Sequence, residues 1–210
     1  MAQELEAEER SKILRVVILL FDGVELLDFA GPFEVFSAAR PSPESPDRLM
    51  EVLTVAEDEG PISCRNGLVV MPSHSLAGCP HADLLVIPGG QGTRTAITRP
   101  GLIDWIRQRA KEATLTTSVC TGSFLLAQAG LLAGKAVTTH WGSIDRLRAD
   151  FPQLDVRENQ RWIDAGEIVT SAGVSAGIDM ALHVLERIYG TAVAAATARG
   201  IEYDHWPMRN

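Results

Sequence analysis

Cys120 is the residue of this chain whose type and position are best suited to chemistry. It follows the apolar run of residues 115–119 and precedes Thr121, Gly122 and Ser123, after which a helix-compatible run begins. A cysteine at a sharp turn from a buried strand into a helix has the geometry of a nucleophile elbow. The N–H groups at the helix start are expected to lower its pKa and to stabilise negative charge on a substrate. The sequence therefore predicts a thiolate nucleophile, against the alternative of an inert buried cysteine.

An acid on an earlier loop is the predicted proton partner of this cysteine. Asp28 lies between Leu27 and Phe29, just before Gly31 and Pro32, where a helix is predicted to begin. Apolar neighbours raise the pKa of a carboxyl group, so Asp28 could act as a general acid or base. The same position would also suit an aspartate that caps a helix or is solvated.

Two other strand ends supply residues that could contact a substrate. Gly89 and Gly90 follow an apolar strand, and glycines there let the backbone approach a ligand closely. The N–H of Gly90 could pair with that of Thr121 in an anion-binding hole, or the segment could be a plain turn. His140 follows another strand and could be a base for the cysteine, a wall of the pocket or a structural residue.

The elements that must position these residues alternate along the chain. Strands are predicted at residues 13–20, 50–56, 68–71, 83–87, 115–119 and 136–139 and in a hairpin at 161–170, and helices at 31–39, 102–112, 122–129, 143–149, 175–189 and 192–199. This order predicts a flavodoxin-like, doubly wound α/β fold, in which a mainly parallel sheet lies between two helix layers as a three-layer sandwich. Ligands of such sheets bind beyond the carboxyl ends of the strands, where the candidate residues fall.

Composition narrows the function further. The formal net charge of −8 over 210 residues argues against a nucleic-acid binder. Residues 1–12 are predicted to be a flexible lead-in, and residues 13–210 a single domain. Without an apolar signal-peptide core or a membrane-length apolar run, we expect a cytoplasmic protein with no membrane contact and three reduced cysteines. An odd number of cysteines without a C-x-x-C pair, and histidines without ligand-like spacing, predict no metal site.

Six segments taken together resemble the ThiJ/PfpI superfamily, which is related to the class I glutamine amidotransferases. They are residues 20–23, 28–32, 87–90, 118–123, 138–141 and 171–179. The resemblance extends over nearly all of residues 13–200, and all six segments in this order are specific for the superfamily. It implies the α/β fold described above and a homodimer.

Within the superfamily, the chain most resembles the isonitrile hydratases. Their pattern has an aspartate before the first Gly-Pro and a threonine after the cysteine, and Asp28 and Thr121 match it. The resemblance implies hydration of an organic isonitrile to an N-substituted formamide through a thioimidate on Cys120, without a cofactor. Asp28 would move protons, while Thr121 and Gly90 would hold the developing charge or the water. Superfamily proteases have a histidine in the place of Thr121, so protease activity is not expected.

Two alternatives stay open at this point. Residues 138–141 and 171–179 are also typical of the sensor domain of AraC-type transcription regulators, which continue into a DNA-binding domain. The chain ends at Asn210, soon after its last predicted helix, so we expect at most a free-standing sensor or binding module that does not contact DNA. The second alternative is a glyoxalase- or deglycase-like stress protein, whose relatives carry a glutamate in the place of Asp28.

Overall fold

A seven-stranded sheet forms the centre of the structure, a computed structural model that describes residues 13–204. All neighbouring strands run parallel except the hairpin at one edge. The lead-in predicted for residues 1–12 lies outside the described residues. From one edge to the other the strands are β10 (Trp162–Asp164), β11 (Ile168–Ser171), β7 (Leu115–Val119), β6 (Leu84–Ile87), β1 (Leu14–Leu19), β2 (Met50–Ala56) and β5 (His74–Ser75).

Two smaller sheets lie outside this one. Each consists of two strands of two residues, and both are too short to leave a periodic pattern in the sequence. The predicted strand at residues 136–139 is correspondingly shorter and belongs to a small sheet, not to the central one. The strands are β3 (Ile62–Ser63) with β4 (Val69–Val70), and β8 (Ala136–Val137) with β9 (Asp155–Val156).

Helices cover both faces of the central sheet, which confirms the predicted three-layer sandwich. The order of the strands reverses at β1, and the connections on either side of that reversal place helices on opposite faces. None of the helices in residues 13–204 has the length and apolar composition needed to cross a bilayer. One helix layer contains α1 (Leu26–Ala38), α6 (Ala176–Tyr189) and α7 (Thr191–Gly200). The other layer contains α2 (Thr93–Ala96), α3 (Pro100–Glu112) and α4 (Gly122–Gln128). The remaining helix, α5 (Ile144–Asp150), packs beside β9.

The first helix begins earlier than predicted. α1 starts at Leu26, so Gly31 and Pro32 lie inside it, and Asp28 is in its first turn instead of preceding it. A proline usually excludes the residue before it from helical geometry, because its ring clashes with that residue's Cβ. Gly31 has no Cβ, which removes this part of the clash and lets the helix continue through Pro32.

Gly31→Ala is expected to destabilise the protein at the contact between α1 and α6. A Cβ at position 31 would lie 2.9 Å from Cγ1 of Ile178, and overpacking of this kind costs about 1–3 kcal/mol. Gly101→Ala is the matched control: Gly101 is exposed in α3, nothing lies within 4 Å of an added Cβ, and alanine favours a helix by up to about 1 kcal/mol. Urea unfolding measures both effects, and a Gly31→Ala variant as stable as the parent would contradict this packing.

Candidate active site

Cys120 forms a strained turn between β7 and α4. Its φ of 56° lies in the left-handed region, which costs a non-glycine residue about 1–3 kcal/mol. Hydrogen bonds hold the turn: the Cys120 N–H donates to the carbonyls of Ser171 and Ala172, both at 3.2 Å. Its carbonyl accepts from Thr139 Oγ1 at 2.7 Å and from Ser123 Oγ at 3.2 Å. The turn has the geometry of a nucleophile elbow, as the sequence predicted.

Asp28 lies beneath this elbow and is fully buried. Its Oδ2 accepts a hydrogen bond from the Gly89 N–H at 3.1 Å, and its Oδ1 accepts from the Val174 N–H at 3.0 Å. Val174 has a φ of 57°, unfavourable for a β-branched residue, so a second strained residue supports the site. The Cys120 thiol lies close enough to the carboxyl group for each to shift the pKa of the other. The aspartate therefore lies near the sulfur and is held by backbone donors from two distant segments.

Burial determines the titration of this pair. It raises the pKa of Asp28 from 3.8 to about 7, and the hydrogen bonds from Val174 and Gly89 offset only part of the rise. Burial also raises the pKa of the Cys120 thiol, and the negative charge of Asp28 raises it further. The Thr121 N–H and hydroxyl lower it by less than these effects raise it. The expectation that the helix start would lower the pKa of Cys120 is therefore wrong, and the site holds a thiol beside a carboxyl that titrates near neutral pH.

The raised pKa of Asp28 predicts a pH dependence of stability. Between about pH 4 and pH 7 the folded protein keeps a proton that the unfolded chain has lost, so the free energy of unfolding falls as the pH rises. A rise from 3.8 to about 7 corresponds to about 4 kcal/mol. Urea unfolding between pH 4 and 8 should show this fall in the parent but not in Asp28→Asn. Parallel curves for the two proteins would contradict the raised pKa.

Gly89 and Gly90 fix the residue that follows the cysteine. A Cβ on Gly89 would lie 2.7 Å from Thr121 Oγ1 and 2.8 Å from the Cβ of Cys120, so only glycine allows this approach. The Gly90 N–H donates to Thr121 Oγ1 at 3.0 Å, and Thr93 Oγ1 lies 3.2 Å from the same oxygen. The Gly90 N–H thus already has a partner, and its pairing with the Thr121 N–H in an anion-binding hole stays a prediction that would require this bond to break. Both glycines position other site residues.

His140 stands at the wall of the site. Its Nδ1 accepts a hydrogen bond from the Gly142 N–H at 3.1 Å, which places the proton of the neutral ring on Nε2. The side chains that shift the pKa of the Cys120 thiol are those of Asp28 and Thr121. Of the roles considered from the sequence, this geometry favours a wall of the pocket over a base for the cysteine.

A cleft of about 140 Å³ opens in front of Cys120. It is smaller than the pockets of roughly 300–1,000 Å³ that bind drug-sized ligands, so it suits a small molecule. Within residues 13–204, no three histidine, cysteine or acidic side chains are grouped as metal ligands. The site brings together Cys120, Asp28, Thr121, Gly89, Gly90 and His140, all predicted from the sequence.

Sequence reasoning missed nine residues of the site. Thr139 and Val174 lie inside segments quoted for the superfamily, so they could have been found there. The other seven had no recognisable pattern because loops or short helices carry them. They are Glu25, Arg65, Gln91, Thr93, Arg94, Ser143 and Arg146.

Fold and site together define an α/β protein with a cysteine elbow at the carboxyl edge of a doubly wound sheet. The sequence profile of the DJ-1/PfpI family matches residues 14–187, and the chain belongs to this family. The resemblance to the ThiJ/PfpI superfamily is thereby confirmed.

The relatives of the chain include an enzyme and a transcription regulator. The chain is 35% identical to isonitrile hydratase from Pseudomonas putida over 191 residues, which covers 90% of this chain and 78% of that enzyme. It is also 35% identical to the HTH-type transcriptional regulator CdhR of Pseudomonas aeruginosa over 140 residues, or 67% of this chain but only 41% of the regulator. A crystal structure of a ThiJ/PfpI family protein from Pseudomonas syringae superposes with a TM-score of 0.83 at 28% identity, covering 96% of this chain and 79% of that one.

Proposed function

We propose that the protein is an isonitrile hydratase, which adds water to an organic isonitrile and releases an N-substituted formamide. The observation that carries the proposal is the placement of the Cys120 thiol beside the buried carboxyl group of Asp28, whose pKa of about 7 suits proton transfer near neutral pH. The 35% identity to isonitrile hydratase over 90% of the chain supports it. Protease chemistry is disfavoured because Thr121 stands where a base histidine would be needed.

The first half of the reaction joins the substrate to the cysteine. The thiol proton passes to the Asp28 carboxylate as the sulfur attacks the terminal carbon of the isonitrile. Asp28 then delivers this proton to the same carbon, which gives a thioimidate, Cys120–S–CH=N–R. The thiol and the carboxyl group lie close enough to shift each other's pKa before the substrate arrives, so the proton needs no diffusing carrier.

The second half uses water and regenerates the thiol. Asp28 accepts a proton from water as the water oxygen adds to the thioimidate carbon. It then passes that proton to the substrate nitrogen, which gives the adduct Cys120–S–CH(OH)–NH–R and restores the carboxylate. The Thr121 N–H and hydroxyl, which lower the pKa of the thiol in the free protein, stabilise the negative charge on the sulfur as the C–S bond breaks. The remaining hydroxyl proton returns to the sulfur, and the formamide R–NH–CHO leaves.

The test of this function is turnover of a simple isonitrile. Purified, reduced protein is incubated with cyclohexyl isocyanide in water enriched in oxygen-18, and the formamide is followed by mass spectrometry. We expect catalytic formation of N-cyclohexylformamide with the label in its carbonyl group. Buffer and heat-inactivated protein measure the uncatalysed rate. No turnover above that rate with several isonitriles would overturn the proposal.

A second candidate is supported by the likeness to transcription regulators. The 35% identity to CdhR fits a domain that binds a small molecule in the cleft without converting it. The same assay separates the two functions, because a sensor domain would bind ligand but give no formamide. The homodimer and the location in the cytoplasm stay predictions.

A further inference from the structure

Three arginines line the cleft in front of Cys120. Their positive charge exceeds the negative charge of the acidic side chain in the same lining. Arg65, Arg94 and Arg146 reach the wall, and Glu25 is the carboxylate among the described lining residues. Glu25 is already engaged, because its Oε2 accepts a hydrogen bond from Arg65 Nη1 at 2.8 Å. The cleft is therefore cationic in a protein whose formal net charge is −8.

Arg146 is held in place with part of its hydrogen-bonding capacity unused. Its guanidinium lies over the ring of Phe124, 4.0 Å from the centroid, which fixes the plane of the group. Its Nε is buried and has no hydrogen-bond partner within residues 13–204. A buried donor that lacks a partner is unfavourable unless a ligand or water completes it.

Arg94 adds a second cation close to the first. Burial lowers the pKa of Arg146, and the positive charge of Arg94 lowers it further, although Asp150 acts in the opposite direction. Arg146 also lies within electrostatic range of the Cys120 sulfur. A substrate attached to that sulfur would therefore have its far end near two guanidinium groups.

Guanidinium groups bind carboxylates with paired, charge-assisted hydrogen bonds. An anion between Arg94 and Arg146 would reduce the repulsion between the two cations. A neutral, apolar substituent would not. The local positive field would also draw an anion into the cleft despite the negative charge of the whole protein.

We propose that the substrates of this site are short isonitriles that carry a carboxylate, with the isonitrile carbon at Cys120 and the carboxylate between Arg94 and Arg146. This rests on the proposed hydratase function. The cleft volume of about 140 Å³ limits the spacer between the two groups to a few atoms. The formamide product keeps the carboxylate, so it binds at the same place and inhibits.

The test compares isocyanoacetate, which carries the charge, with its neutral methyl ester. We expect the parent to have a kcat/KM at least about tenfold higher for the carboxylate, with a preference that weakens as salt is added. Arg94→Gln and Arg146→Gln should each raise KM for the carboxylate about 10- to 100-fold and leave the ester within about threefold. Arg148→Gln, on α5 beside Glu158, is the matched control and should keep the preference.

Binding of the product separates this proposal from the function on which it rests. Calorimetry with N-formylglycine needs no turnover, and we expect binding that weakens at least about tenfold in Arg146→Gln. Turnover of both isonitriles without preference, or a preference that survives both substitutions, would overturn the carboxylate site and leave the hydratase standing. Binding of N-formylglycine without turnover of any isonitrile would overturn the hydratase and keep the anion site. Unfolding curves of each variant exclude a loss of the fold.

Discussion

Cys120→Ala is expected to lower turnover of cyclohexyl isocyanide by at least about 10³-fold while the protein stays folded. Without the sulfur no thioimidate forms, and removal of a nucleophile from comparable covalent enzymes costs up to about 10⁶ in kcat. Alanine at this position keeps the backbone bonds from Thr139 and to Ser171, because they involve main-chain atoms of residue 120. The measurement is the initial rate of formamide formation, with thermal unfolding to check the fold.

Cys79→Ala is the matched control for this substitution. Cys79 is 7% exposed, as is Cys120, but its thiol donates to the carbonyl of Pro80 and does not line the cleft. We expect this variant to keep its rate within about twofold. Turnover that survives Cys120→Ala would remove the nucleophile from the mechanism. Mass spectrometry of the parent after rapid acid quenching should find the substrate attached at Cys120 and at neither other cysteine.

Asp28→Asn is expected to lower kcat/KM by about 10²- to 10⁴-fold, the usual range for loss of a general acid–base group. The parent should also show an inflection that the variant lacks. The reactive form of the free protein has an ionised Asp28 beside a protonated thiol. Because the pKa of Asp28 is about 7, kcat/KM should rise about tenfold per pH unit below 7 and level off above it. The measurement is the pH profile from pH 5 to 9 for both proteins.

Asp28→Asn also changes the hydrogen bonding of the site, so it needs a control. The asparagine side chain has a single oxygen, so it can accept a hydrogen bond from only one of the Gly89 and Val174 N–H groups. Its NH₂ group must then face the other N–H, which lowers the free energy of unfolding by about 1–3 kcal/mol. Asp22→Asn, on the loop that precedes α1 and bonded to the Ser63 N–H, should keep the profile of the parent. An inflection near pH 7 that persists in Asp28→Asn would assign the titration to another group.

The sequence by itself determined the fold and the meeting of Asp28 with Cys120. The apolar runs of β1, β6 and β7 and their alternation with helices specify a doubly wound sheet, and such a sheet places the strand ends at one edge. The small residues after Cys120 then require an abrupt turn there. These are consequences of local composition and chain order, which is why they could be predicted.

The tertiary structure alone decided how the site titrates and what charge surrounds it. The start of α1 depends on Gly31, whose missing Cβ both accommodates Pro32 and admits Ile178 from α6. The pKa values of Asp28 and Cys120 depend on burial by several segments and on donors such as Val174, which lies 146 residues from Asp28 in sequence. Spacing along the chain cannot report burial or electrostatic fields, because both arise from residues brought together only by folding. For the same reason, the arginines of the cleft became visible only in three dimensions.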